Sequence, residues 1–482
     1  MKDNFKKIAL QGMTWKLLEK IGMQAAQLII QLILARLLLP EEYGIVGLLT
    51  IFITISDIFV QQSFSIALIQ KKDADDNDFS IVHLINIVFS IIVYLVLFLM
   101  APFIEIFFAK EQLALLMRIL ALNIIIGALG AVPNAILSRN LDFKKSFFRN
   151  SCNILTQGIV GIWLALLGGG IWALILSKLM GTLVGVMVLR LSVRWKEQIR
   201  FSFDRIKVLF RFGSRIMMSN LINAIFNNLN SLIIGKYYSS IELGLFQKGQ
   251  QIPQTIMTAV DGSFSDVLFP TLSEIQNDLD RLKHVLRKFM RTSMFIVFPI
   301  MMGLIGAADN LIGVLLKEKW IMCVPYLRLQ CVLCIFWPLA ARIHAINAVG
   351  RSDITLKIST ITRSMMLVTV LICVKYGIVA IMSGMIATSF ISLLISTYYV
   401  NKYINYSLKE LCKDIVPSFI LSFGMGACVF GLNYFPAPML IKLVIQICLG
   451  VIIYVMGSVL FKFESFVYLK SIAMEYFERE KK

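Results

Sequence analysis

The chain has little charge: Asp, Glu, Lys and Arg make up 16% of it. It has three histidines, His83, His284 and His344, and no pair of them stands at metal-ligand spacing. A His-Glu-x-x-His motif and an acidic metal cluster are also missing, so no metal centre is expected. No Gly-x-x-x-x-Gly-Lys-Ser/Thr loop occurs. Gly235-Lys236 lacks both the leading glycine and the hydroxyl residue, which excludes a Walker-type ATP site. No Gly-x-Ser-x-Gly elbow is found, and no polar stretch is long enough for a soluble domain. Cys331-Val-Leu-Cys334 has redox-motif spacing, but it sits in an apolar block with no histidine or second pair nearby. Packing is the expected role of the eight cysteines. No cofactor is expected.

What the chain has in quantity is apolar surface. Hydrophobic residues are 58% of its 482, and the mean hydropathy is +0.79. They recur in blocks of about 20 residues, the length that crosses about 30 Å of hydrocarbon at 1.5 Å per residue. The expected fold class is all-α, a polytopic membrane protein of about 14 transmembrane helices. The spans fall near 14–38, 43–69, 80–108, 113–138, 147–168, 170–192, 208–238, 243–271, 286–316, 321–349, 354–375, 377–400, 412–434 and 439–461. The first block follows Lys6 and Lys7 and runs on without an Ala-x-Ala site, so it reads as a retained helix.

The formal net charge of +18 is a topology signal. Placing the N-terminus in the cytoplasm puts about 31 of the 47 Lys and Arg on that side and about seven on the other. Both termini are therefore expected in the cytoplasm. Anionic membrane lipids are a secondary partner for this charge, and nucleic acid is not.

The two halves resemble each other at an offset of about 200. Ile33-Leu34-Ala35-Arg36 and the residues to Gly44 lie over Ile233-Ile234-Gly235-Lys236 and the residues to Gly244. Lys110-Glu111 matches Lys317-Glu318, and Arg118 matches Arg328. Each repeat holds an even number of spans, so both enter from the same side. That predicts a parallel repeat about an axis along the membrane normal. The expected organisation is an N-terminal six-helix lobe at 1–192, a cytoplasmic linker at 193–207, a second six-helix lobe at 208–400, and two further spans with a tail at 401–482.

Polarity at helical period marks the candidate site. On the first span Lys16, Lys20, Gln24, Gln27 and Gln31 share an arc of about 80°. The second carries Thr50, Thr54, Asp57, Gln61 and Ser65. The seventh carries Asn220, Asn223, Asn227 and Asn230, and the eighth Gln247, Gln250, Gln254, Thr258, Asp261 and Ser265. Several match across the repeat: Lys20 with Asn220, Gln27 with Asn227, Gln61 with Asp261. A polar group facing lipid costs several kcal/mol, and a charge at the centre of a span about 2.5–3.5 kcal/mol. Aligned stripes on equivalent helices therefore predict a hydrated cavity. The alternative is hydrogen bonding that only joins the bundle. Amides and hydroxyls suit sugar hydroxyls, while Lys16, Lys20, Arg215 and Lys248 suit phosphate. Lys16 and Arg215 could equally snorkel to the interface. Glu19, Asp57 and Asp261 are the candidates for ion coupling, or could neutralise nearby lysines.

Leu34-Ala35-Arg36-Leu37-Leu38-Leu39-Pro40-Glu41-Glu42-Tyr43-Gly44 resembles the end of the first helix of bacterial polysaccharide exporters. Pro133-Asn134-Ala135-Ile136-Leu137-Ser138-Arg139-Asn140-Leu141-Asp142-Phe143, Phe269-Pro270-Thr271-Leu272-Ser273 and Ala348-Val349-Gly350-Arg351-Ser352-Asp353 continue the likeness, over about residues 10–400. The chain is thus identified as similar to the polysaccharide-transporter branch of the multidrug/oligosaccharidyl-lipid/polysaccharide exporter superfamily. The resemblance implies a flippase in the bacterial cytoplasmic membrane. Its substrate would be an undecaprenyl-diphosphate-linked oligosaccharide repeat unit for exopolysaccharide, capsule or O-antigen synthesis. It would move by alternating access of two lobes, with the polysaccharide polymerase machinery as an expected partner. Lipid II flippases of the superfamily rely on arginines in the first helix, where this chain carries Lys and Gln. The main rival is a multidrug/cation antiporter of the same superfamily, which would favour acids and aromatics in its cavity. A membrane polymerase would need a large outer loop, and none is present.

Overall fold

A computed structural model describes residues 22–62, 68, 75–140, 142–193, 195 and 203–480. They form α1 (Gly22–Leu37), α2 (Pro40–Asp57), α3 (Asp76–Phe108), α4 (Leu113–Arg139), α5 (Phe143–Leu166), α6 (Ile171–Ser192), α7 (Phe203–Tyr237) and α8 (Ser240–Glu274). Next come α9 (Leu279–Leu316), α10 (Val324–Ala340), α11 (Arg342–Ala348), α12 (Ser352–Cys373), α13 (Ile378–Ile404), α14 (Leu408–Gly431), α15 (Met439–Leu460) and α16 (Glu464–Glu480). Among the described residues no strand occurs. The protein is all-α and multi-pass. Among the described residues, ten helical segments are long and apolar enough to cross a membrane. The helices α5, α7 and α8 are not among them, and these are helices whose faces carry amides and charges.

The helices start where the sequence supplies acceptors for orphan backbone N–H groups. Asp75 Oδ1 accepts from the Asp78 amide at 2.9 Å ahead of α3, and Asp278 accepts from the Arg281 amide at 3.0 Å ahead of α9. The same device recurs at the matched starts of α2 and α8. Glu42 accepts from the Leu39 amide at 2.7 Å, and Glu242 from the Ser239 amide at 3.0 Å. The tenth expected span is broken. Pro338 interrupts α10, and the chain resumes as α11 at Arg342. Arg342 is fully buried there, yet its guanidinium donates to Leu339 O at 2.9 Å, Thr397 Oγ1 at 2.7 Å and Ser396 Oγ at 3.1 Å. A charge at membrane depth is tolerated when its donors are satisfied in this way.

By compactness the chain divides into residues 1–244 and 245–482. The first unit takes in α7, which packs on α2 and α3. Inside it, two glycines matched by the repeat allow one very close crossing. A Cβ built on Gly44 would stand 1.8 Å from Ser240 O, and one built on Gly244 would stand 1.9 Å from Pro40 O. Only glycine lets two backbones approach that far.

In the second unit α14 and α15 pack on α9 along its length. The cysteine expectation needs a correction there. Cys323, Cys331 and Cys334 are buried, but Cys412, Cys428 and Cys448 are exposed. The last three sit on faces of α14 and α15 that no described helix covers, so packing does not account for them.

Candidate transport site

The first-helix stripe is only partly in view. Lys16, Glu19 and Lys20 lie outside the described residues, as do the side chains of Gln61, Arg215 and Asp261. On α1, Gln24 and Gln31 are half-buried and Gln27 is exposed. On α7, Asn220 and Asn223 are half-buried and Asn227 is exposed, while Asn230 is buried. On α8, Gln250 and Gln254 are half-buried, and Thr258 closes locally on Gln254 O at 2.8 Å. Gln27 and Asn227, matched at the repeat offset, are thus both open.

Two of the charges have protein partners. Lys248 is buried and donates to Gln251 Oε1 at 2.9 Å, with its ammonium 5.9 Å from the Trp320 ring centroid. That places it against the start of the tenth span, inside packed protein. Asp57 is half-buried and in electrostatic reach of Lys178 on α6. The spacing of the second span gave no hint of this lysine, because it comes from a helix with no polar stripe.

Arg118 and Arg328 act alike. Arg118 Nε donates to Phe98 O, and Arg328 Nε to Ile305 O, each at 3.3 Å. Each guanidinium also covers an aromatic ring, Phe98 at 4.3 Å and Phe430 at 5.4 Å. Both tie neighbouring helices together by gripping a carbonyl. At the loop after α3, Lys110 donates to Ser240 Oγ at 2.8 Å. Burial lowers its pKa, and Glu41 and Glu242 oppose that shift.

One polar face was missed in the sequence. On α5, Arg149, Asn150, Asn153 and Gln157 follow each other at helical spacing and line a cavity of about 580 Å³ within the first unit. Arg149 Nη1 donates to Asn134 Oδ1 of α4 at 2.8 Å, and Gln157 Nε2 donates to Asn153 Oδ1 at 2.5 Å. The opposite side of α5 exposes Leu155, Ile159, Trp163 and Leu166. The helix is therefore amphipathic inside a membrane protein, with apolar side chains for lipid and polar ones for the interior. The signal was present in the spacing.

An all-α, multi-pass chain whose helices carry polar faces has the architecture of a membrane transporter. The chain belongs to the polysaccharide biosynthesis protein family, whose pattern matches residues 33–325. It is 26% identical over 327 residues to the succinoglycan biosynthesis transport protein ExoT of Rhizobium meliloti, covering 67% of this chain and 65% of that one. It is 20% identical over 438 residues to the lipopolysaccharide biosynthesis protein WzxC of Escherichia coli, covering 88% of each. Its fold resembles that of the lipid II flippase MurJ in an inward closed conformation. The TM-score is 0.74 at 17% identity, over 93% of this chain and 98% of that one.

Proposed function

We propose that the protein is a flippase for lipid-linked oligosaccharides. It carries undecaprenyl-diphosphate-linked repeat units from the cytoplasmic to the outer leaflet of the bacterial cytoplasmic membrane, for exopolysaccharide, capsule or O-antigen synthesis. One observation carries the reading: a chain of the polysaccharide biosynthesis family keeps carboxamides along the faces of its helices, groups that lipid cannot solvate. An oligosaccharide diphosphate cannot cross hydrocarbon unaided, but its polyprenyl tail can stay in lipid. The protein needs only to screen the head group while alternating access of the two six-helix halves, 1–192 and 208–400, moves it across.

In this reading the amides of Gln24, Gln27, Gln31, Asn220, Asn223, Asn227, Gln250 and Gln254, with Gln61, exchange hydrogen bonds with sugar hydroxyls. Lys16, Lys20 and Arg215 attract the diphosphate, Lys248 is set aside because it is buried against Trp320, and Glu19, Asp57 and Asp261 couple an ion. Both termini face the cytoplasm, and the polymerase machinery takes the product on the far side.

The test is translocation of a fluorescently labelled lipid-linked oligosaccharide in proteoliposomes, with and without a pH gradient. Protein-dependent loss of label from the donor leaflet is expected, together with loss of transport in the Lys20→Ala, Arg215→Ala double variant despite normal membrane insertion. No translocation by the wild-type protein under any imposed gradient would sink the assignment.

A further inference from the structure

A second cavity lies outside every polar stripe assigned above. It encloses about 430 Å³ between α9 and the tail helix α16, within the second unit, a size that suits a small polar ligand. His284, Arg287, Lys288, Arg291 and Thr292 line it from α9, at spacings of three and four that put them on one helical face. Ser465 and Tyr468 close it from α16.

The two arginines are already engaged. Asp414 accepts from both, and Glu464 pairs with Arg291. Glu410 pairs with Lys283 at 2.8 Å and stands 3.5 Å from Arg287. Lys288 is the cation without a carboxylate. Its ammonium lies 3.6 Å from the centroid of the Tyr468 ring and donates to no acceptor among the described residues. Lys288 therefore leaves the cavity with a net positive charge. Two hydroxyls stand beside it. Thr292 is 6% exposed and Ser465 9%, and neither hydroxyl bonds to protein among the described residues. Hydroxyls buried so deeply are normally bonded, so the pair calls for a ligand.

The cavity stands at the level of lipid head groups. The helix α9 has 38 residues, about 57 Å at 1.5 Å per residue, against about 30 Å of hydrocarbon. From Ser293 to Leu316 its sole charge is Asp309. That stretch takes the hydrocarbon, and the turns before it project into the head-group layer. On the other side α16 starts at Glu464, close behind the end of α15 at Leu460. This corner exposes Leu460, Phe461 and Val467, an apolar surface suited to acyl chains.

We infer that the cavity binds the phosphate of an anionic glycerophospholipid, a structural lipid that joins α16 to α9. The Lys288 ammonium and the hydroxyls of Thr292 and Ser465 donate to the phosphate oxygens, while Arg287 and Arg291 stay on Asp414. A basic cavity between helix ends at a membrane surface is the kind of site that takes a lipid head group. The inference goes beyond the flippase reading and does not depend on it.

The experiment uses the full-length purified protein, freed of lipid in a neutral detergent, and three probes: phosphatidylglycerol, phosphatidylcholine and inorganic phosphate. Binding and thermal unfolding are measured on wild type, Lys288→Ala, Thr292→Val, Ser465→Ala and Lys409→Ala. Lys409 is exposed and does not line the cavity, so its removal controls for general attraction to charge. Phosphatidylglycerol, with both a net negative charge and acyl chains, is expected to bind about tenfold more tightly than either other probe and to raise the unfolding temperature. Lys288→Ala should weaken it about tenfold, and Lys409→Ala should leave it unchanged. Thr292→Val and Ser465→Ala should leave the lipid-free protein as stable as wild type and lower only the gain that the lipid confers. Should Thr292→Val fail to fold, Ser465→Ala and Lys288→Ala carry the test. Equal affinity in wild type and Lys288→Ala, or an equal loss in Lys409→Ala, would overturn the site. Inorganic phosphate binding as tightly as phosphatidylglycerol would overturn its assignment to a lipid.

Discussion

The helices α3 and α9, each the third of its repeat, begin in the same way and end in different surroundings. Both begin behind an aspartate cap and both have an arginine-gripped carbonyl, Phe98 O in one and Ile305 O in the other. Yet 22% of the most apolar stretch of α3 is buried, against 50% for α9. The outer face of α3 exposes Ile92, Leu95, Val96, Leu99 and Phe103, side chains suited to lipid. The comparable face of α9 is covered by α14 and α15 and pinned along its length. Arg287 donates two bonds of 2.8 Å to Asp414, and Arg291 a third of 2.7 Å. Further along, Tyr454 donates to Phe295 O at 2.7 Å, and Asn310 donates to Asn433 Oδ1 at 2.8 Å and Gln446 Oε1 at 3.0 Å. Gly306 and Gly426 let the two helices touch: a Cβ on Gly306 would stand 2.8 Å from Gly426 O. The difference teaches that a repeat fixes a helix and its internal bonds, while an appended hairpin decides whether one copy of its face meets protein or lipid.

The largest effect is expected where that asymmetry is most polar. The Asp414 side chain is fully buried and accepts from Arg287, Arg291 and Tyr406. Removing one partner of a buried charge network costs about 3–5 kcal/mol. Asp414→Ala should fall near the low end, because the side chains of Arg287 and Arg291 are 26% and 31% exposed. Thermal unfolding in detergent would read the loss, and a change within error would show that the clamp is not what holds the hairpin to α9.

A smaller but symmetric effect is expected at the matched glycines. Gly44→Val and Gly244→Val each drive a side chain into a backbone carbonyl, which cannot move aside like a flexible side chain. Overpacking of this kind costs about 1–3 kcal/mol. The two variants should lose similar stability, since each glycine meets the residue that its counterpart's repeat supplies. A strongly unequal pair of unfolding temperatures would break the symmetry.

The smallest effect separates the two carbonyl-gripping arginines. Arg328 also pairs with Asp309 at 2.5 Å, with the aspartate side chain 46% exposed. Arg328→Ala should therefore cost more than Arg118→Ala, by about 0.2–1 kcal/mol for a partly exposed pair. Adding Asp309→Ala to each variant completes a double-mutant cycle. Coupling of Asp309 to Arg118 as large as to Arg328 would contradict the geometry.

Much of the fold was legible because membrane helices obey simple constraints. Block length marked the apolar helices, ten of which among the described residues are long enough to span, and pairs such as Arg118 with Arg328 pointed to a repeat whose two members make the same bond. The start of α2 could be matched to that of α8 because Glu42 and Glu242 cap them alike. The site was less legible. Lys248 carries a charge that reads as a candidate ligand, but its depth in packed protein depends on Trp320, more than seventy positions away. The amide face of α5 was present in the spacing and was passed over beside the arginines of the loop that precedes it.

The sequence by itself determined that the chain is helical, that it crosses a membrane repeatedly, and that its halves are copies. Helix formation depends on residues within a turn of each other, and membrane insertion on the summed polarity of one segment. Which faces of those helices meet protein was decided only by the tertiary structure. Arg287 reaches Asp414 across 127 positions, and Gly44 reaches Ser240 across almost two hundred. No local pattern encodes such contacts, because they depend on how every intervening helix packs.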